Sequence, residues 1–156
     1  MPVTCRRILV VGAPAGGKRW LAGRIHALTG MPVVPLAARD VAAAAGLADL
    51  REWVALSSEA DTAEIAAGCA DLVVLLRTPL WLRDARLLLR RARASLRRTS
   101  HPPLVPLLRR THRWDADELP ALRRALEPHG PLVASVASSE DVRAVLERIL
   151  GIPATF

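Results

Sequence analysis

The chain has 156 residues, a hydrophobic content of 51% and a formal net charge of +7 at pH 7. This length and apolar content predict one folded domain over residues 1–156 and exclude a disordered chain. No apolar stretch approaches the ~18 residues that span a bilayer, and two cysteines are too few for a disulfide framework, so we expect a cytoplasmic protein without a membrane span.

The first predicted elements are a strand, a glycine-rich turn and a helix. The apolar run Ile8–Val11 predicts a buried strand, and residues 20–28 carry apolar side chains at helical spacing up to a stop at Gly30. Residues 12–18 between them have the Gly-x4-Gly-Lys pattern of a phosphate-binding loop, in which backbone N–H groups and the start of the next helix bind phosphate. The predicted binding residues are Gly12, Ala13, Ala15, Gly16, Gly17, Lys18 and Arg19.

The loop ends in an unusual pair of residues. Lys18 is the only lysine, and the other 21 of the 22 basic residues are arginine, which indicates a chemical need for a compact ammonium at this position. Arg19 replaces the Ser or Thr that normally completes the motif and coordinates Mg²⁺. Because arginine has no acceptor atom, we predict no metal ligand here, and a role for Mg²⁺ is doubtful.

Strands and helices alternate through the rest of the chain. Short apolar runs predict four further strands, over residues 32–36, 53–56, 72–76 and 132–136. Helices are predicted over 38–51 with a break at Gly46, from Ser57 or Ser58 toward Gly68, from Pro79 to about Arg98, from Asp115 to Leu126, and over 142–150 with Ser138 in N-cap chemistry. This alternation predicts a three-layer α/β/α P-loop NTPase fold with a mostly parallel sheet of about five strands.

Basic charge is concentrated in one segment. Residues 77–114 carry a net charge of +10, and the rest of the chain carries −3. Residues 101–113, rich in proline and arginine, predict a mobile loop or a short buried strand around Leu104 and Val105. In the helix after Pro79, arginines three or four apart lie along one face: Arg83, Arg86, Arg90, Arg93 and Arg97. Aligned arginines gain most from an anion, so nucleotide phosphates, a nucleic-acid backbone or an anionic membrane surface are the candidate ligands.

Three segments carry a likeness to a known family: Val10–Lys18, Leu28–Leu36, and Cys69–Arg83 with the arginines after it. On these segments the chain resembles the small P-loop nucleotide kinases, and within them the adenylate-kinase-related group called DNA topology modulation proteins. The resemblance implies ATP at the loop, with GTP as the alternative. It also implies an arginine-rich lid over about residues 79–114, whose candidate residues are Arg83, Arg86, Arg90 and Arg91.

The motifs of this group are degenerate in the chain. Ala37 and Ala38 stand where members usually carry an Asp after the second strand. Leu56 and Ser57 stand in place of an Asp-Gly pair that often follows the third strand, and Arg77 replaces an acid at the end of the fourth. Together with Arg19, these departures remove groups on which Mg²⁺ binding and acceptor orientation depend, so we expect a large loss of catalysis.

Three functional interpretations remain open. A degraded kinase-like protein would bind a nucleotide and act as a regulatory module with an unknown small-molecule or protein partner. An active ATP-dependent phosphotransferase would use four catalytic residues, Lys18, Arg83, Arg86 and Arg90. An interaction module would bind nucleic acid or protein through the arginine helix. Nucleic acid is less favoured because stacking aromatics are few, and Trp81 and Trp114 are expected to pack in the core or at its edge.

Overall fold

The computed structural model of the protein describes residues 4–100 and 102–152. The strands are β1 Arg7–Val11, β2 Val33–Pro35, β3 Trp53–Ser57, β4 Leu72–Leu76 and β5 Val133–Val136. The helices are α1 Lys18–Thr29, α2 Val41–Gly46, α3 Ala60–Ala67, α4 Leu80–Leu96, α5 Leu104–Arg113, α6 Leu119–Leu126 and α7 Ser139–Leu150. Short 3₁₀ helices form at Leu47–Asp49 and Glu127–Leu132, and a π-helical turn forms at Trp114–Glu118. None of the helices in these described residues combines the length and apolar character that crossing a membrane requires.

The sheet has the strand order β2-β3-β1-β4-β5, and every neighbouring pair is parallel. β1 is central, with Val11 opposite Ser57 of β3 and Leu75 of β4. Because parallel strands end at the same edge of a sheet, the segments that follow β1, β3 and β4 come together at one place. The predicted five-stranded parallel sheet is confirmed.

Apolar side chains cover both faces of this sheet. Ile8 and Val10 of β1 belong to one buried cluster with residues of α1 and α7. Leu9 and Val11 belong to a second cluster with residues of α3 and α6. Helices therefore cover both faces, which explains why β4 is a continuous apolar run and why β1 and β3 are apolar except at Arg7 and Ser57. The predicted three-layer α/β/α arrangement is confirmed.

The prediction of a loop or short strand over residues 101–113 is wrong where the structure describes them, and His101 lies outside the described residues. Residues 104–113 form helix α5. Pro103 precedes its first turn and Pro106 lies within that turn, where a backbone N–H has no intrahelical partner and proline is tolerated. The less exposed side chains follow helical spacing: Leu104, Leu107, Leu108 and Thr111.

Helix α5 continues through the π-helical turn into α6, so the prediction that Asp115 opens a helix is wrong. Asp115 lies inside the π-helical turn and pairs with Arg83 of α4. Trp114 is buried, as expected. Trp81 is 70% exposed, so the expectation that it packs in or beside the core is wrong.

The predicted helix boundaries are correct at Ser138 and Gly46 and wrong at the start of α3. The Ser138 side chain caps α7 within a reciprocal capping box, and α2 ends at Gly46, both as predicted. Glu59 is the N-cap residue of α3, so neither Ser57 nor Ser58 takes that place. Both serine hydroxyls are used in other hydrogen bonds, and Ser58 belongs to the site described next.

Candidate functional site

The turn between β1 and α1 is closed by its own backbone. The Gly16 N–H donates to the Ala13 carbonyl at 3.0 Å, and a Cβ on Gly16 would lie 2.8 Å from that oxygen. Gly17 has a φ of +94°, a conformation that glycine adopts without strain. Gly17 is also the N-cap of α1, and no side chain caps this helix. The first N–H groups of α1 are therefore available to an anion.

The ammonium group of Lys18 is fixed across this turn by three hydrogen bonds. Its Nζ donates to the carbonyl oxygens of Gly12 and Ala13 at 3.0 and 2.9 Å, and to the Ser58 hydroxyl at 2.6 Å. Ser58 follows β3, whereas the two carbonyls follow β1, so the lysine ties the ends of two neighbouring strands together.

A cleft of about 600 Å³ opens beside the turn. Five cationic side chains line it: Lys18 and Arg19 of α1, Arg86 and Arg90 of α4, and Arg110 of α5. The Arg86 Nη1 donates to the Ala15 carbonyl at 3.2 Å, which holds α4 against the turn. Glu59 is the only acid among the described residues that line the cleft. The cleft is therefore strongly positive and suited to a polyanion.

The environment of Lys18 disfavours its charge. Burial is the main cause that lowers the pKa of Lys18 to about 8, and the positive charges of Arg110, Arg19 and Arg90 lower it further. An anion in the cleft would offset these like charges, so the arrangement is more favourable with an anion bound than without one.

Most of the predicted site residues meet at this cleft. Those that line it are Ala15, Gly16, Gly17, Lys18, Arg19, Arg86 and Arg90. Gly12 and Ala13 contribute the carbonyl oxygens that hold the lysine. Arg91 is absent from the cleft lining, and its Nη1 donates to the Pro102 carbonyl at 3.3 Å.

Arg83 is also absent from the cleft lining, which corrects the expectation that it faces phosphates beside Arg86. Its side chain is 2% exposed, donates to the Thr111 carbonyl at 3.2 Å and pairs with Asp115. Its guanidinium carbon lies 5.8 Å from the Trp114 ring centroid. Arg86 lies about 4.5 Å further along the axis of α4 and about 60° around it from Arg83, and from there it reaches the loop. Arg83 therefore fastens α4 to α5 and the π-helical turn.

The predicted site residues do not include five hydroxyl-bearing or charged residues that line the cleft: Ser57, Ser58, Glu59, Thr62 and Arg110. The Ser58 carbonyl accepts a hydrogen bond from Trp114 Nε1 at 2.7 Å, which fixes the segment after β3 beside Lys18. The signal that could have revealed Ser58 is its place directly after a buried strand, next to β1 in the sheet. Arg110 is missed because it belongs to the helix α5 that the sequence did not predict.

The residues of this site do not fit an inner-sphere Mg²⁺ ion. Arg19 occupies the usual hydroxyl position and offers only donors. The Ser58 hydroxyl is engaged by the lysine ammonium, and the Thr78 hydroxyl donates to the Gly16 carbonyl at 2.6 Å. Within residues 4–100 and 102–152 no group of three or more His, Cys, Asp or Glu side chains could hold a metal. At phosphate sites Mg²⁺ is held by one or two protein oxygen ligands together with the phosphates and water, and the loop position that usually supplies one of them supplies none here.

No protein-family model matches the sequence, and no curated protein matches it. Solved structures do match. Shikimate kinase from Acinetobacter baumannii, in complex with shikimate, matches with a TM-score of 0.57 at 16% identity, over 97% of each chain. A gluconokinase from Sinorhizobium meliloti matches with a TM-score of 0.55 at 18% identity, over 94% of this chain and 91% of that one. The fold is that of the P-loop kinases.

Within this P-loop kinase fold, the cleft lies at the sheet edge where β1 and β3 end. Ligands of open parallel sheets bind at this edge, so the position of the cleft agrees with the position of its charges. At identities of 16% and 18%, these matches establish the fold and do not identify the ligand.

We expect Arg83→Met to lower the free energy of unfolding by about 1–3 kcal/mol, because the Thr111 carbonyl and Asp115 lose a buried partner. The loss stays in this range since the Asp115 side chain is 43% exposed and can be hydrated. Chemical denaturation measures the effect, with Arg93→Met on the exposed part of the same helix as the control. If the two variants are equally stable, Arg83 does not fasten the helices.

The lowered pKa of Lys18 predicts a rise in stability at alkaline pH. Between pH 8 and 10.5 the unfolded chain keeps the lysine proton while the folded chain loses it, so the free energy of unfolding increases with pH. Below pH 8 the folded state bears the full cost of the buried charge. Across this window wild type should gain about 3 kcal/mol relative to Lys18→Met. Denaturation at a series of pH values gives the difference, and a flat difference would show an unshifted pKa.

Proposed function

We propose that the cleft binds the phosphates of a nucleotide, ATP or GTP, and that the protein is a kinase-like regulatory module with degraded phosphotransfer. One observation carries this proposal: the Lys18 ammonium is anchored on the loop, and four arginines line the same cleft. A triphosphate is the common cellular ligand that matches such a concentration of donors and positive charge beside a helix N-terminus.

Each group has a distinct role in this proposal. Backbone N–H groups from Ala15 to Arg19 hold the phosphates nearest the loop, where α1 begins. Lys18 contributes its positive charge to the outer phosphates from a position set by the carbonyl oxygens of the loop. The lid over the terminal phosphate consists of three arginines: Arg86 and Arg90 of α4 and Arg110 of α5.

The degraded state is supported by what lines the acceptor side of the cleft. Ala37 and Ala38 lie there, where the resemblance to the DNA topology modulation group implies an Asp. Their methyl groups cannot orient a hydroxyl or hold a metal. We assign the protein to the degenerate end of that group on this basis. Residues 1–156 would form one domain with a lid over about 79–114, and the free thiols Cys5 and Cys69 suit the cytoplasm.

An active phosphotransferase is the alternative function of the same cleft. Glu59 offers one carboxylate that could accept a proton from a substrate hydroxyl, and the cleft volume leaves room for a small acceptor beside a nucleotide. The named neighbours, a shikimate kinase and a gluconokinase, suggest a small hydroxylated acid as that acceptor. Turnover of ATP in the presence of Mg²⁺ would favour this alternative over the degraded state.

Lys18→Ala should weaken the affinity for ATP and GTP at least about 100-fold, because a positive charge beside the outer phosphates and the hydrogen bonds that shape the loop are lost. Isothermal titration calorimetry measures the affinity, and circular dichroism checks that the variant is folded. Arg51→Ala is the matched control, since this exposed arginine precedes β3 and lies at the opposite end of the strands. Unchanged affinity in Lys18→Ala would refute the assignment of the loop.

A second candidate function is nucleic-acid binding by the outer part of α4. Arg93 and Arg97 are exposed and do not line the cleft, so they are free to contact a phosphate backbone elsewhere. The neighbouring Leu89 and Leu96 are 56% and 85% exposed, which leaves apolar surface beside these two arginines.

If this second function exists, fluorescence anisotropy should detect RNA or DNA binding that weakens steeply with salt. The double variant Arg93→Glu/Arg97→Glu should lose it while keeping its affinity for ATP, because the cleft arginines are unchanged. Arg123→Glu/Arg124→Glu on α6 is the control with the same change in net charge. Equal losses in both variants would indicate non-specific attraction to a basic protein.

A further inference from the structure

The cleft is lined by many more positive than negative side chains, which disfavours a ligand that brings its own metal cation. The cationic side chains number five: Lys18, Arg19, Arg86, Arg90 and Arg110. Glu59 is the single carboxylate among the described lining residues, and its Oε2 already accepts from the Arg39 N–H at 3.1 Å. A divalent cation that entered with the phosphates would be repelled by these side chains, and the loop position that usually supplies a protein oxygen ligand supplies none.

We infer that the cleft takes its polyphosphate as the free anion, and that arginines supply the positive charge that Mg²⁺ supplies in other phosphate-loop proteins. The inference rests on the proposed nucleotide-binding function and specifies the ionic form of the ligand. It applies to the phosphate chain, so inorganic triphosphate should bind by the same contacts as ATP.

The balance of charge agrees with the free anion. A triphosphate group carries about four negative charges at neutral pH, because its terminal phosphate is nearly dianionic. Five cations and one carboxylate match this number closely. The Mg²⁺ complex keeps about half of the negative charge and would leave part of the arginine cluster uncompensated.

The surroundings of Lys18 give independent support. Burial and three neighbouring arginines lower the pKa of this lysine to about 8, so the cleft opposes one positive charge of its own. The three arginine charges, which rank after burial among these causes, would also repel a metal ion carrying two charges. Arg19 adds to this effect from the position where a metal-binding hydroxyl usually stands, because it replaces an oxygen ligand with a cation.

The test is calorimetric titration of ATP, and separately of inorganic triphosphate, into the full chain. One series contains EDTA and the other contains Mg²⁺ in excess of the ligand, with sodium chloride keeping the ionic strength equal. We expect both ligands to bind at least about tenfold more tightly in EDTA. Tighter binding with Mg²⁺ would overturn the inference and leave the nucleotide-binding function standing. No binding in either series would overturn the proposed function and the inference with it.

Two arginines of α5 provide a matched comparison. Arg110→Gln removes a charge from the cleft, whereas Arg109→Gln removes the same charge from a residue that does not line it. In EDTA, Arg110→Gln should lose about tenfold or more in affinity for triphosphate, and Arg109→Gln should stay within about twofold of wild type. Equal effects would overturn the idea that contact with the cleft arginines replaces the metal.

A second pair of variants isolates the residue after the lysine. Arg19→Ser removes the charge and restores a hydroxyl, whereas Arg19→Ala removes only the charge. We compare the affinity measured with Mg²⁺ to the affinity measured without it. Their ratio should increase more in Arg19→Ser than in Arg19→Ala, because only serine offers an oxygen ligand. The same ratio in both variants would overturn the role given to the missing hydroxyl.

Discussion

The hydrogen bonds of the Lys18 ammonium link most of the site to the sheet. Two of them hold the loop that follows β1, and the third holds Ser58 after β3. The Ser58 carbonyl in turn accepts from Trp114, which packs against the guanidinium of Arg83. A chain of contacts therefore runs from the loop to the helices that carry the cleft arginines. These partly buried contacts fix where α4 and α5 present their charges.

The cleft brings like charges close together, and in the absence of a ligand their repulsion lowers the stability of the fold. Burial and the neighbouring arginines both act against the charge of Lys18. Such arrangements lower stability and are found where a ligand restores the balance. Burial of the apolar clusters on both faces of the sheet stabilises the fold and offsets the repulsion between these charges.

Much of the fold is predictable because its signals are local. The runs Ile8–Val11 and Leu72–Leu76 are continuously apolar, as buried parallel strands must be, and the structure has strands at both places. Helix α5 escapes prediction because its prolines fall at and before the first turn, where they do not prevent a helix. Asp115 resembles a helix start in sequence, yet it serves as the partner of Arg83 inside a continuous helical segment.

The sequence by itself determined the phosphate loop, because that loop is built from contiguous residues whose glycines set its backbone. It also determined that Arg19 removes a metal ligand, since this depends only on the identity of one side chain. Only the tertiary structure decided that Ser58 and Arg110 line the cleft and that Arg83 does not. These side chains lie on separate elements, and their positions follow from which strands are neighbours and how each helix is rotated as it packs. Spacing along the chain carries no information about either.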